Sequence, residues 1–153
     1  MGKTFSVPAF LFDTNIWLAL TSAAHPLHGA ANRAFANATA VDKAYFCRAT
    51  QQSVLRLTSS PNLASQYGVA PISNRDAFQR LEIFMARPNV GFAEDPAALL
   101  PRWKAYADLT TASPKRWMDA YLAAFAVEAG LTFITGDNDF KTFLPNLTLI
   151  SLP

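Results

Sequence analysis

The stretch AFLFDTNIWLAL, residues 9–20, sets the fold class. A short apolar run from Ala9 closes on the carboxylate of Asp13 and passes directly into TNIWLAL, where Thr14 and Asn15 are good N-cap residues. An apolar run this short reads as a buried strand, and the periodic segment behind it as a helix. The chain therefore opens on a strand-to-helix junction marked by an aspartate.

The same alternation recurs downstream. Leu27 to Ala38 carries Leu27, Ala30, Ala31, Ala34 and Phe35 at helical spacing. Ala44 to Cys47 reads as a second strand. Thr50 to Leu57 reads as a helix that ends before the breaker cluster Ser59-Ser60-Pro61-Asn62. Ser73 or Asn74 caps a helix running to Arg87, stopped by Pro88, and Asn89 to Ala93 is a short strand. Asp95-Pro96 opens a helix toward Leu109, and Ser113-Pro114 repeats that arrangement for a helix ending at Gly130. Leu131 to Thr135 is a strand of β-branched and aromatic residues, Gly136 to Asp139 a turn, and Leu147 to Leu152 a final strand. Strands alternating with helices make an α/β domain with a mainly parallel sheet. In such sheets the functional crevice lies at the carboxyl ends of the strands, near a topological switch point.

Composition narrows the chemistry. At 153 residues, 51% of them hydrophobic, the chain has the material for one packed domain, read as 1–153, and its 16% charged residues are too few for a disordered tail. One cysteine excludes a disulfide framework or thiolate zinc site, and His25 and His28 beside Pro26 do not have the spacing of a helical zinc motif. Six glycines without a GxGxxG run disfavour a flavodoxin-like nucleotide-binding domain. No stretch approaches the roughly 18 apolar residues of a membrane helix. No secretory leader is readable in MGKTFSVPAFLFDT, so no membrane association and a cytoplasmic location are expected.

What remains is eleven carboxylates, eight of them aspartates. Asp13 closes the first strand, and Asp137 and Asp139 lie just beyond the penultimate one, so a parallel sheet brings all three to one edge. Asp119 interrupts the apolar surface of Trp117, Met118, Ala120, Tyr121 and Leu122. Clustered carboxylates resist ionisation unless a cation neutralises them. Oxygen donors without His or Cys suit Mg²⁺ or Mn²⁺, and such ions support phosphodiester hydrolysis. Structural readings stand beside this one: Asp13 as a helix N-cap, Asp119 paired with Lys115 or Arg116, and Asp137 and Asp139 as turn residues, with Asp139 also a cap for a turn of helix at Phe140 to Phe143.

FLFDTNIWLAL (10–20) and WMDAYLAAFAVEAGLTFITGDNDF (117–140) closely resemble the opening and closing motifs of PIN-domain ribonucleases, among them the VapC toxins of type II toxin–antitoxin systems. FCRATQQSVLRLTSSP (46–61) resembles the second strand and following helix of one VapC subgroup. The resemblance implies a PIN-like three-layer sandwich, its central mainly parallel sheet of four to five strands flanked by helices. It implies an endoribonuclease dependent on Mg²⁺ (or Mn²⁺), with Asp13, Asp119 and Asp137 catalytic and metal-binding and Asp139 an auxiliary metal ligand. Asn15 and Thr135 match positions that support the site by hydrogen bonding, and Asn15 is also well placed to orient the Asp13 carboxylate.

One position departs from the family pattern. Where a glutamate is usual, Gln51 brings no charge, which implies weaker metal affinity and, as the alternative function, a catalytically weak PIN-like module that binds RNA or protein. Also implied are a single-stranded or looped RNA substrate, with tRNA and rRNA loops among the candidates, a homodimer, and a cognate VapB-type antitoxin. From the residues themselves, Arg48, Arg56, Lys115 and Arg116 are candidates for gripping RNA phosphates, against the alternative of solvated helix faces. Trp17, Trp103, Tyr106 and Trp117 are candidates for stacking on bases, against the alternative of packing.

Overall fold

The computed structural model describes residues 9–153, so most of the leader reading and the first eight residues of the 1–153 domain span lie outside the described residues. The elements in order are β1 (Phe10–Phe12), α1 (Thr14–Thr21), α2 (His28–Phe35), β2 (Ala44–Phe46), α3 (Arg48–Thr58), α4 (Pro61–Gln66) and α5 (Asn74–Met85). There follow β3 (Val90–Phe92), α6 (Leu99–Ala107), α7 (Pro114–Ala129), β4 (Thr132–Thr135), a 3₁₀ turn (Asn138–Phe143) and β5 (Leu149–Ser151).

The strands form one sheet in the order β3-β2-β1-β4-β5, and every pairing is parallel. The chain steps outward from β1 through β2 to β3, then returns to place β4 on the other side of β1. The order therefore reverses between the two central strands. Phe12 lies opposite Ile134 there. Asp13 and Thr135 follow them at the carboxyl edge, at the switch point where α/β sheets open a crevice.

Side chains alternate across a strand, and this alternation divides the core into two layers. Phe10, Phe12, Ala44, Phe46 and Ile134 pack with Ile16, Trp17, Val54 and Leu81 on the face covered by α1, α2, α3 and α5. Leu11 and Phe133 pack with Leu99, Leu122 and Phe125 on the face covered by α6 and α7. Two residues further on, the same period directs Asp13 and Thr135 toward the α7 side. Trp17 is fully buried and stacks on Phe46 with ring centroids 3.8 Å apart, so it is a packing residue and not a platform for bases.

Helix α7 begins with Pro114 in its first turn and ends on Gly130 at φ 68°, a left-handed conformation that glycine adopts without steric penalty. Gly130 N–H donates to the Val127 carbonyl and Leu131 N–H to that of Ala126, which turns the chain directly into β4. Three local expectations are corrected. The breaker cluster starts a helix, because Ser60 Oγ accepts from Leu63 N–H and Pro61 at the first helical position needs no hydrogen-bond partner. The helix expected at Asp95 begins instead at Leu99, and Asp95 accepts a hydrogen bond from the Tyr121 hydroxyl at 2.7 Å. The last turn before β5 is capped by Asp137, not Asp139. Among the described residues no helix is long and apolar enough to cross a membrane.

Candidate active site

Asp13 does two things at once. Its extended backbone makes it the N-cap of α1, with Oδ1 accepting from Thr14 N–H at 2.8 Å, while Oδ2 accepts from Thr135 Oγ1 at 2.7 Å. The residue is only 8% exposed. Burial pushes its carboxyl up to about 6, against the hydrogen bonds from Thr135 and Thr14, and the charges of Asp119 and Asp137 push in the same direction as burial. The capping reading and a role in the site are thus compatible.

Thr135 is fully buried at the end of β4, and its hydroxyl also accepts from Asp137 N–H at 3.0 Å. Thr135, rather than Asn15, orients the Asp13 carboxylate. Asn15 directs its Oδ1 to Gly136 N–H at 3.5 Å and so steadies the loop after β4.

Asp119 lies on the second turn of α7, and Asp137 and Asp139 bracket the start of the 3₁₀ turn. One carboxylate oxygen from each of these three lies within 4.8 Å of the others. The Lys115 Nζ sits among them and donates to Asp119 at 2.9 Å, Asp137 at 2.7 Å and Asp139 at 2.8 Å. Partial burial alone would lower the Lys115 pKa, but the three hydrogen bonds outweigh it and hold the amine charged. Asp119 is raised by burial and by the neighbouring Asp137 and Asp139 charges, against the pull of Lys115. At Asp137 burial acts upward, yet Lys115 and the N–H of Asp139 prevail and the pKa is lowered. The tight trio is therefore Asp119, Asp137 and Asp139, with Asp13 beside it in the protein interior.

The donor set fits a hard divalent cation. It is entirely carboxylate oxygen, the class Mg²⁺ and Mn²⁺ prefer, and it already gathers around one positive charge.

Gln51 is buried in the first turns of α3, and its side-chain hydrogen bonds go to Arg48 and Met85 rather than to an acid. Its Oε1 accepts from Arg48 Nη1 at 2.6 Å, and its Nε2 points to the Met85 sulfur at 3.7 Å. The Arg48 guanidinium also lies 4.6 Å from the centre of the Phe92 ring. Arg48, Gln52, Ser53 and Arg56 on α3 face Met118 and Tyr121 on α7 across an open groove of about 530 Å³. Sequence reasoning overlooked Gln52, Ser53, Met118 and Tyr121. The signal was there, since residues 48, 52 and 56 recur every four positions along one helix face.

Three of the four expected phosphate-gripping cations have partners within the fold, and of these three only Arg48 lines the groove. Lys115 is bonded to the carboxylates. Arg116 donates from Nε to the Tyr106 carbonyl at 2.8 Å and lies 4.5 Å from the Phe143 ring centre, inside the α6–α7 packing. Tyr106 itself packs on Phe143, and the Trp103 indole N–H donates to the Trp117 carbonyl, which leaves Trp117 the exposed ring of that set.

Residues 10–143 match the PIN domain family. Over 134 residues the chain is 40% identical to Ribonuclease VapC41 of Mycobacterium tuberculosis, found in two strains, covering 87% of this chain and 92% of the relative. Among solved structures it is similar to a chain of VapBC2 from Rickettsia felis bound to a DNA fragment from their promoter. That match has a TM-score of 0.62 and 15% identity over 94% of this chain and 98% of the other, a likeness of fold.

Proposed function

The chain belongs to the PIN-domain family, among its VapC ribonucleases, and from that premise we propose that it is a divalent-cation-dependent endoribonuclease toxin that hydrolyses phosphodiester bonds in RNA. The observation that carries this reading is the convergence of Asp119, Asp137 and Asp139 on one point, beside buried Asp13, at the switch point of the sheet.

Asp119, Asp137 and Asp139 would hold the ion, with Asp13 completing the negative wall. When bound, Mg²⁺ or Mn²⁺ supplies an activated water and charge neutralisation at the phosphate. Thr135 keeps the Asp13 carboxylate fixed and prevents it from turning away when its neighbours are neutralised. Arg48 and Arg56 line the groove between α3 and α7, where Met118 precedes Asp119 in the chain, and would hold phosphates on either side of the cut. The groove is open, and its walls combine the Arg48 and Arg56 guanidiniums with Met118 and the Tyr121 ring, which suits unpaired RNA, including tRNA or rRNA loops.

The partner we infer is a VapB-type antitoxin, a reading supported by the VapBC2 description of the structural neighbour. Exposed Leu100, Leu109 and Trp117 around the α6–α7 loop are apolar surface suited to a protein partner, and they support a homodimer or antitoxin contact there. The single cysteine, Cys47, is buried and free, in keeping with a reducing cytoplasm.

The test is incubation of the purified protein with total RNA, with and without EDTA, beside Asp119→Asn. Cleavage that requires added Mg²⁺ or Mn²⁺ and disappears in the variant supports the reading. The Gln51–Arg48 pair favours a second reading, a catalytically weak RNA- or protein-binding module. That module would retain RNA equally with and without EDTA and cut none of it.

A further inference from the structure

Lys115 is the least expected member of the site. Its ammonium donates to Asp119, Asp137 and Asp139 at 2.7–2.9 Å, the same carboxylates that form the donor set. A bound Mg²⁺ would need those oxygens at about 2.1 Å. An ammonium that donates to all three carboxylates occupies the space between them, so a metal that binds these carboxylates must compete with the amine.

Among the described residues nothing else fastens the amine. The side chain is 58% exposed, so its stem has an open route to solvent. Lys115 lies in the first turn of α7, where the helix dipole disfavours a cation and no acidic residue offers compensation within that turn. The three carboxylates are what hold it there. In the metal-free protein it supplies one positive charge to three acids that otherwise repel one another.

We propose that Lys115 is a built-in placeholder cation: it stabilises the metal-free carboxylate cluster, weakens divalent-metal affinity by occupying the same oxygens, and swings out when the metal binds. The inference rests on the reading of these acids as the metal site.

The experiment is Mn²⁺ titration by calorimetry of the wild type, Lys115→Met and Asp119→Asn. Lys115→Met should bind Mn²⁺ about tenfold or more tightly, since a competing network of ion pairs is gone. Binding equal to or weaker than wild type overturns the proposal. Loss of binding in Asp119→Asn with equal affinity in wild type and Lys115→Met overturns the placeholder alone. Absence of Mn²⁺ binding in both the wild type and Lys115→Met overturns the metal reading with it. A second measurement needs no variant: acylation of the wild type by an amine-reactive ester, mapped by mass spectrometry. Saturating Mn²⁺ should raise labelling of Lys115 several-fold relative to Lys43 and Lys104. Unchanged labelling overturns the release.

Discussion

Thr135 Oγ1 donates to Asp13 Oδ2 at 2.7 Å and joins the carboxyl ends of β1 and β4 through residues 122 positions apart. The same hydroxyl accepts from Asp137 N–H, so one buried side chain sets the position of an interior acid and of a loop acid together.

Replacing Thr135 by valine keeps the shape and removes both bonds. Urea unfolding should show a loss of about 1–3 kcal/mol, the usual consequence of stranding a buried charged acceptor. RNA cleavage should fall by at least about tenfold, since a shift of this size in catalytic geometry is felt at the transition state. Thr135→Ser, which keeps the hydroxyl, should recover most of both.

The Asp13 carboxyl titrates at about 6 in the fold against an ordinary 3.8. Folding therefore favours its protonated form. That contribution is complete below about pH 3.8, declines as pH rises, and is lost above about pH 6. In EDTA, Asp13→Asn stays neutral throughout, so its stability advantage over wild type should be near zero at about pH 4 and grow to at most roughly 3 kcal/mol near pH 7. Thermal melts across that range check it. A difference that does not change with pH refutes the burial account.

Arg48→Ala and Arg56→Ala should each weaken binding to RNA and reduce the slope of log affinity against log salt by about one, as one lost phosphate contact does. Arg116→Ala should leave that slope unchanged and lower the melting temperature instead, because its guanidinium is committed to Tyr106 and Phe143. Binding isotherms at several salt concentrations separate the two classes.

Gln51→Glu restores the charge that the family pattern expects. Arg48 already bonds that side chain, so the new carboxylate is neutralised locally and Mn²⁺ affinity should rise by less than about threefold. In an Arg48→Ala background the same change should give a distinctly larger gain. Calorimetry on the four proteins of this cycle decides whether Arg48 screens the position.

The expected positions of all five strands and of six helices coincide with elements of the structure, since each is announced locally by apolar period, capping residues or a breaker. Helix α4 escaped because Ser-Ser-Pro reads equally as a stop and as a cap followed by a first-turn proline. The four aspartates were legible too, as acids placed at strand ends or interrupting an apolar helix face. Their partners were not. Nothing near Asp13 in the chain points to Thr135, and Asn15, two residues away, looked the better orienting group. Gln51 could be recognised as an uncharged substitute but not as the acceptor of Arg48.

The sequence by itself determined the α/β class, the element order and which acids face the carboxyl edge, because those follow from periodicities of two and about 3.6 residues along one chain. Only the tertiary structure decided that β1 and β4 are neighbours, that Asp139 rather than Asp13 completes the tight trio, and that Lys115 fills its centre. Those facts are distances between side chains on different elements. They come into being when the sheet reverses its order, and no local pattern encodes them.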